Sequence, residues 1–314
     1  MFVMYIRSVF LRQVLYKGGV GQMENGYRSY HPYVQFLYYL CVSILAMYFN
    51  HPLFLIIACI LMVFVNISHD GGRALRKWGL VLIVMSMIII VLNPFLVSRG
   101  TNILFYFRDK QVTLEATIYG ITMSLSLVIV LIMFVSFNLV LNGNRFLFIF
   151  SKVLPRTAFL IMLAIRFVPL LNRRLEEIGM VHRIRGMSMT EGSIRERAKI
   201  GMLRIQLLLT LSLEEAIQTA DSMKARGYGI GKKSSYIPYK MEKRDWGWLL
   251  TLVLLFLICI VGGSLGYGKI QIYPELGTLH FFLLDWILFV CMISIFSFPL
   301  IAEGREKLRW IYLK

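Results

Sequence analysis

Two short triplets stand out for what their side chains can do. Ile184-Arg185-Gly186 and Ala225-Arg226-Gly227 each close a stretch of helical periodicity with an arginine and then a glycine. An arginine there complements the negative end of the aligned peptide dipoles, and glycine takes the left-handed cap. That is ordinary capping. The same arginine also presents a planar fork of five donors, suited to a polar groove on a partner. Spacing alone leaves both readings open.

Other candidate chemistry is thin. Gly229-Ile230-Gly231-Lys232-Lys233-Ser234 resembles a phosphate loop, yet it lacks the glycine five positions before Gly231. Lys233 also stands where Ser or Thr should follow the first lysine, so the chain is not expected to bind ATP itself. The histidines His31, His51, His69, His182 and His280 have no ligand spacing. Cys41, Cys59, Cys259 and Cys291 fall in apolar runs without a CxxC pair and read as buried thiols. No metal site is expected in this chain. Asp285 lies just inside the last apolar run, where an acid is a functional suspect; it can equally reach water or pair with Lys269. Arg166, in another apolar stretch, can snorkel to the membrane surface.

The elements that carry these residues follow from composition. Of 314 residues, 58% are hydrophobic and 16% charged, with a mean hydropathy of +0.68. Soluble domains carry about 25% charged residues, and one core of this size cannot hide so much apolar surface. The bilayer is the natural solvent. Lys and Arg number 34 against 17 Asp and Glu, a net charge of +17. No nucleic-acid-reading motif accompanies that excess, which instead suits cytoplasmic loops.

Apolar segments fall at 33–49, 52–68, 78–98, 115–141, 157–171, 246–265 and 280–302. A span needs roughly 20 residues, with about 17 tolerated. Residues 172–245 hold fifteen basic and nine acidic side chains, the mark of a cytoplasmic region. With both termini inside, the number of spans is even. Six satisfy this if 157–171 lies against the membrane face as the start of a cytoplasmic helix. The expected fold is an all-α polytopic membrane protein of about six spans plus a cytoplasmic helical platform. Its parts are an N-terminal extension (1–30), spans one to four (31–141), the platform (142–245), spans five and six (246–303) and a tail (304–314). A short interfacial helix or a disordered leader fits residues 2–14, and 99–114 and 266–279 are the outer loops.

Within the platform, Leu171, Leu175, Ile178 and His182 recur at helical spacing, and a second helix covers about 195–226.

Several stretches together resemble one family: Ala164-Ile165-Arg166-Phe167-Val168-Pro169, the Arg185-Gly186 ending, and Glu215-Ala216 through Ala225-Arg226-Gly227-Tyr228. Upstream, His31-Pro32, Asn93-Pro94 and Thr113-Leu114-Glu115 with Gly120 fit the same pattern. The family is the transmembrane T component of energy-coupling factor transporters, which includes the cobalt-transport Q-type permeases. The resemblance covers about residues 31–245 well and the last two spans by hydropathy only.

That resemblance implies a non-catalytic subunit. It would join two ABC-type ATPases, which bind the ATP, to a small substrate-binding membrane subunit, the S component. The chain itself would bind no cofactor. By match to the family's coupling motifs, Arg185 with Gly186, and Ala225, Arg226 and Gly227, enter grooves on the ATPases. Ile184 departs from the usual alanine. Leu203, Leu207, Leu208 and Leu211 are the candidate cradle for the S component, which would topple as ATP binding moves the helices. Arg166 and Pro169 lock the platform to the membrane. The cargo would be a vitamin or a transition-metal ion. Two rivals belong to other classes. A membrane enzyme would use Asp285, Glu115 or His280. A self-contained secondary transporter would need repeats with paired broken helices, and none is visible.

Overall fold

The computed structural model describes residues 26–97, 100–107, 110–186, 193–231, 239–270 and 283–312. The expected helix or leader at 2–14, His280, half of the phosphate-loop-like run and most of the 266–279 loop lie outside the described residues. A 3-10 turn, Gly26–Ser29, precedes helices α1 (Pro32–Tyr48), α2 (Pro52–Asp70) and α3 (Arg73–Leu96). Strands β1 (Ile103–Phe107) and β2 (Lys110–Thr113) follow, then α4 (Leu114–Val140) and α5 (Gly143–Ser151). The long helices α6 (Pro155–Ile184) and α7 (Ile194–Ala225) come next, and α8 (Lys243–Ser264) and α9 (Leu283–Tyr312) close the chain.

Five helices, α2, α3, α4, α8 and α9, are long and apolar enough to cross a bilayer, and α1 is a shorter apolar helix of 17 residues. The architecture is that of an all-α polytopic membrane protein. Residues 157–171 form no helix of their own. They are the first half of α6, which runs 30 residues through Pro169 and is not among the spanning candidates. The 99–114 loop holds a small antiparallel hairpin, with Ile103 opposite Thr113 and Phe107 opposite Lys110. Branched and aromatic residues fit a pleated surface, a preference that summed hydropathy does not register.

The helix starts explain several family-like dipeptides. His31 caps α1, its Nδ1 accepting the Tyr33 N–H at 3.3 Å. Pro32 then sits at the first helical position, where a missing N–H costs nothing. Thr113 caps α4 by accepting the Ala116 N–H at 3.3 Å.

The chain divides into two compact units. One comprises Met23–Phe146 with Tyr239–Lys314; the other contains Leu147–Pro238. In the first, α4 packs on α1, α2 and α3, while α9 packs on α2 and α8. Hydrocarbon supplies no hydrophobic drive between helices, so small residues and interhelical hydrogen bonds hold them. Ser124 meets Ser86 at 2.7 Å, Ser136 meets the Tyr39 hydroxyl at 2.8 Å, and Ser126 donates to the Ala46 carbonyl at 2.6 Å. Gly120 lets α3 and α4 approach until a Cβ there would lie 3.1 Å from the Asn93 Cβ. Helix α3 otherwise turns outward, burying only Leu82, Asn93 and Pro94; its remaining apolar surface suits lipid.

One end of this unit is an aromatic knot. Tyr27, fully buried, meets the rings of Tyr30, Tyr38, Tyr39, His69 and Phe298. His69 Nδ1 lies 2.7 Å from Glu303 Oε1, joining the end of α2 to α9.

Candidate functional site

The second unit is built on α6 and α7. Arg174 pairs with Glu215 at 3.1 Å, and Arg204 Nε donates to His182 Nδ1 at 3.4 Å. Further along, the Phe159 and Tyr228 rings stack at 5.2 Å. As the α6 number rises from 159 to 182, its partner falls from 228 to 204. The two helices are therefore antiparallel.

Their seam is unusual in kind. On α6 the inward face includes half-buried Leu171, Leu175 and Ile178 and buried His182, the stripe expected from periodicity. On α7 the half-buried positions are Ile200, Gly201, Arg204, Leu208, Ser212, Glu215, Thr219 and Met223. That stripe has helical period and mixes four polar side chains, Arg204, Ser212, Glu215 and Thr219, with apolar ones. The large apolar side chains of α7, among them Met202, Ile205, Leu209, Leu213 and Ile217, stay exposed. Helix α7 thus turns a mixed face inward and leaves most of its large apolar side chains outside. Of the candidate cradle, Leu203, Leu207 and Leu211 are on the exposed side, whereas Leu208 falls on the stripe that faces α6.

Both helices end by the same device. Arg185 is the C-cap of α6 and Arg226 that of α7, with φ/ψ of −81°/9° and −83°/7°. Gly186 and Gly227 follow at φ 75° and 81°. Only glycine takes that conformation at no steric cost. At the second end the Gly227 N–H donates to the Lys224 carbonyl and the Tyr228 N–H to the Met223 carbonyl, at 2.9 and 3.0 Å. This is a complete Schellman turn. At the first end Gly186 N–H donates to the Arg183 carbonyl at 3.0 Å. Ala225 and both arginines are exposed, and Ile184 is 86% exposed. Neither guanidinium has an ion-pair partner among the described residues.

Antiparallel packing puts the two tips at opposite ends of the pair. The second lies beside Phe159, and 26 residues of helix separate that point from Arg185, roughly 39 Å at 1.5 Å per residue. Two identical cationic forks held that far apart cannot share one small ligand. They can dock two copies, or two relatives, of one partner. Arg166 is exposed on the first half of α6, and Pro169 is half-buried inside that helix.

The acids suspected of other chemistry have structural partners. Glu115, fully buried, accepts at Oε1 from the Asn102 N–H, the Asn102 amide and the Thr101 hydroxyl, at 3.1, 3.0 and 3.3 Å. Its role there is to anchor the chain before β1. Asp285 Oδ1 accepts the Gly268 N–H at 2.7 Å. Lys269 lies over the Tyr48 ring, 3.9 Å from its centroid. Among the described residues, no cluster of three His, Cys, Asp or Glu side chains is placed to hold a metal.

Sequence reading counts Arg145 only among the basic residues of a cytoplasmic stretch and misses its buried structural role. It sits on α5, is 3% exposed, and donates to Gln35 Oε1 at 2.9 Å and to the Arg28 carbonyl at 2.7 Å. The available signal was a charged residue amid the aromatic run from Phe146 to Phe150.

The chain is thus a multi-pass helical membrane protein that also carries an antiparallel pair of arginine-tipped helices. The chain belongs to the cobalt transport protein family, CbiQ, which matches residues 27–237. It is thus a transport protein rather than an enzyme. Similar proteins share the name energy-coupling factor transporter transmembrane protein EcfT. That of Macrococcus caseolyticus is 27% identical over 193 residues, covering 58% of this chain and 71% of the relative. The protein from Leuconostoc gelidum is 25% identical over 182 residues, covering 54% and 68%. The Lacticaseibacillus paracasei protein is 32% identical over 105 residues, 32% of this chain and 40% of its own.

Proposed function

We propose that this chain is the transmembrane coupling subunit of an energy-coupling factor importer. It transmits the motion of two cytoplasmic ABC-type ATPases to a substrate-binding membrane subunit. The ATPases bind ATP, and the substrate-binding subunit holds a vitamin or a transition-metal ion. One observation carries the reading: Arg185 and Arg226 are presented by matched turns at the two ends of one antiparallel pair. Each guanidinium enters a polar groove of one ATPase, where its fork makes charge-assisted, two-pronged hydrogen bonds. When the ATPases close on ATP, the tips move with them. The exposed leucines Leu203, Leu207 and Leu211 carry that motion to the substrate-binding subunit. Residues 172–245 and both chain termini lie on the cytoplasmic side, consistent with the fifteen basic side chains of that segment.

The test is affinity purification in mild detergent, wild type beside the Arg185→Ala/Arg226→Ala double variant. ABC ATPases should accompany the wild type and be lost from the double variant, with membrane insertion intact and uptake abolished. A double variant that retains full uptake overturns the mechanism. Wild type without any ATPase, under conditions that preserve membrane complexes, overturns the assignment.

A further inference from the structure

We infer that α6 and α7 hold each other's arginine tips in place, Phe159 acting as a positioning residue for Arg226 and Arg204 for Arg185. The inference rests on the coupling reading above. Phe159, Tyr228, His182 and Arg204, which carry it, all lie within the Leu147–Pro238 segment.

The last turn of a helix is where its hydrogen bonds fray first. An arginine carried on a loose turn must be ordered when it docks, backbone and side chain together, and that cost is subtracted from the affinity. The second tip meets this difficulty with an aromatic contact. Tyr228, two residues after Arg226, is fixed to its own helix by its N–H bond to the Met223 carbonyl at 3.0 Å. Its ring stacks on Phe159 of the other helix, with centroids 5.2 Å apart and planes 25° apart. Tyr228 is 48% exposed, so the ring fills no core. What the stack does is tie the end of α7 to the start of α6.

At the first tip the roles are exchanged. Buried His182 stands one turn before Arg185, and its Nδ1 accepts from Arg204 Nε of α7 at 3.4 Å. The same guanidinium lies against Gly179, where a Cβ would sit 3.5 Å from Arg204 Nη1. The capping bonds of each tip are made within its own helix, so neither cross-contact is needed to form the turn. Each adds a fixed position relative to the neighbouring helix. Phe159 acts through Tyr228, and Arg204 through His182.

The test measures how tightly the complete subunit, in mild detergent, binds the ABC-type ATPases that co-purify with it. Phe159→Ala and Arg204→Met are each made in wild type, in Arg185→Ala and in Arg226→Ala. Phe159→Ala should weaken binding about three- to tenfold, the range of one aromatic pair. It should do so again in Arg185→Ala, which docks through its second tip alone. In Arg226→Ala it should change nothing, because no guanidinium is left there to position. Arg204→Met should show the mirror pattern, a loss in Arg226→Ala and none in Arg185→Ala, as for residues that act through a shared group. Phe159→Tyr, which keeps the ring, should restore binding. Should the alanine variant fail to insert, Phe159→Leu, which keeps bulk and loses the ring, is read by the same pattern. Equal losses in every background mark a general loosening of the pair and overturn the inference. The single variants Arg185→Ala and Arg226→Ala separate it from the coupling reading. If both bind ATPases as wild type does, the coupling reading fails and the positioning with it. If they weaken binding while Phe159→Ala and Arg204→Met leave it unchanged, only the positioning fails.

Discussion

Arg185 and Arg226 occupy the same place in their helices, each a C-cap with φ near −80° and ψ near 10°, each followed by a glycine of positive φ. The backbone, more than the side chain, aims both guanidinium groups. Placing an L-residue with a Cβ in that left-handed conformation costs about 1–2 kcal/mol. Gly227→Ala and Gly186→Ala are therefore expected to reduce uptake even though both arginines remain. Gly227→Ala should have the larger effect, since its motif carries the alanine of the family pattern where the first has Ile184. Uptake assays beside thermal melts in detergent check this. An unchanged Gly227→Ala protein would mean that the turn does not aim the arginine.

Arg174 and Glu215 bridge α6 and α7 at 3.1 Å with both side chains about a third exposed. Solvent screening limits such a pair to about 0.2–1 kcal/mol. Glu215→Lys replaces attraction by repulsion and should loosen the pair and lower uptake. The swap Arg174→Glu/Glu215→Arg should recover most of it. Failure of the swap would assign Glu215 to a partner instead.

Helix α7 starts with a capping box in which Ser193 Oγ accepts the Glu196 N–H at 3.3 Å and Glu196 accepts the Ser193 N–H at 2.9 Å. The Ser193 backbone bond, then its hydroxyl, hold the Glu196 carboxyl below its usual 4.5. A depressed folded pKa stabilises the helix start above the unfolded value, and that gain is lost as pH falls through the folded one. Amide exchange at 194–198 should accelerate relative to the middle of α7 when pH drops from 7 to well below 4.5. Glu196→Gln should flatten that dependence. Equal protection at both pH values in the wild type would contradict the assignment.

At Gly120 a methyl would press on Asn93, so alanine requires a small shift and a large side chain forces α3 from α4. Gly120→Leu is expected to cost about 1–3 kcal/mol by overpacking, read as a lower melting temperature and poor yield. Gly120→Ala should be mild. If leucine were tolerated as well as alanine, α3 and α4 would not be tightly packed there.

How far the sequence reveals this molecule differs from place to place. Helix ends were readable because their chemistry is local: His31-Pro32, Thr113 and the two Arg-Gly endings act within four residues of chain. The spans were readable because hydrocarbon demands long apolar runs. The face that α7 turns to α6 was not. Leucines at 203, 207, 208 and 211 look like one apolar face, but the contact stripe runs through Arg204, Ser212, Glu215 and Thr219. Hydrophobic periodicity assumes that the apolar side faces the partner helix; that holds for Leu171, Leu175 and Ile178 of α6, but on α7 only Leu208 of those four leucines lies on the stripe. Glu115 looked like a candidate acid, yet its bonds go to Thr101 and Asn102, which a hairpin invisible to hydropathy brings close. The structural role of Arg145 was not legible because its partners, Gln35 and the Arg28 carbonyl, lie 110 and 117 positions earlier in the chain.

The outward-turned apolar side chains of α7 bear on how this subunit is made. A helix pair that leaves Met202, Leu209 and Leu213 facing outward hides only part of its apolar surface by folding alone. Newly synthesised copies without companions would present a sticky, greasy flank to chaperones and proteases. Cells should therefore accumulate the subunit only in proportion to the proteins that cover it, so that its abundance becomes a gauge of completed assemblies.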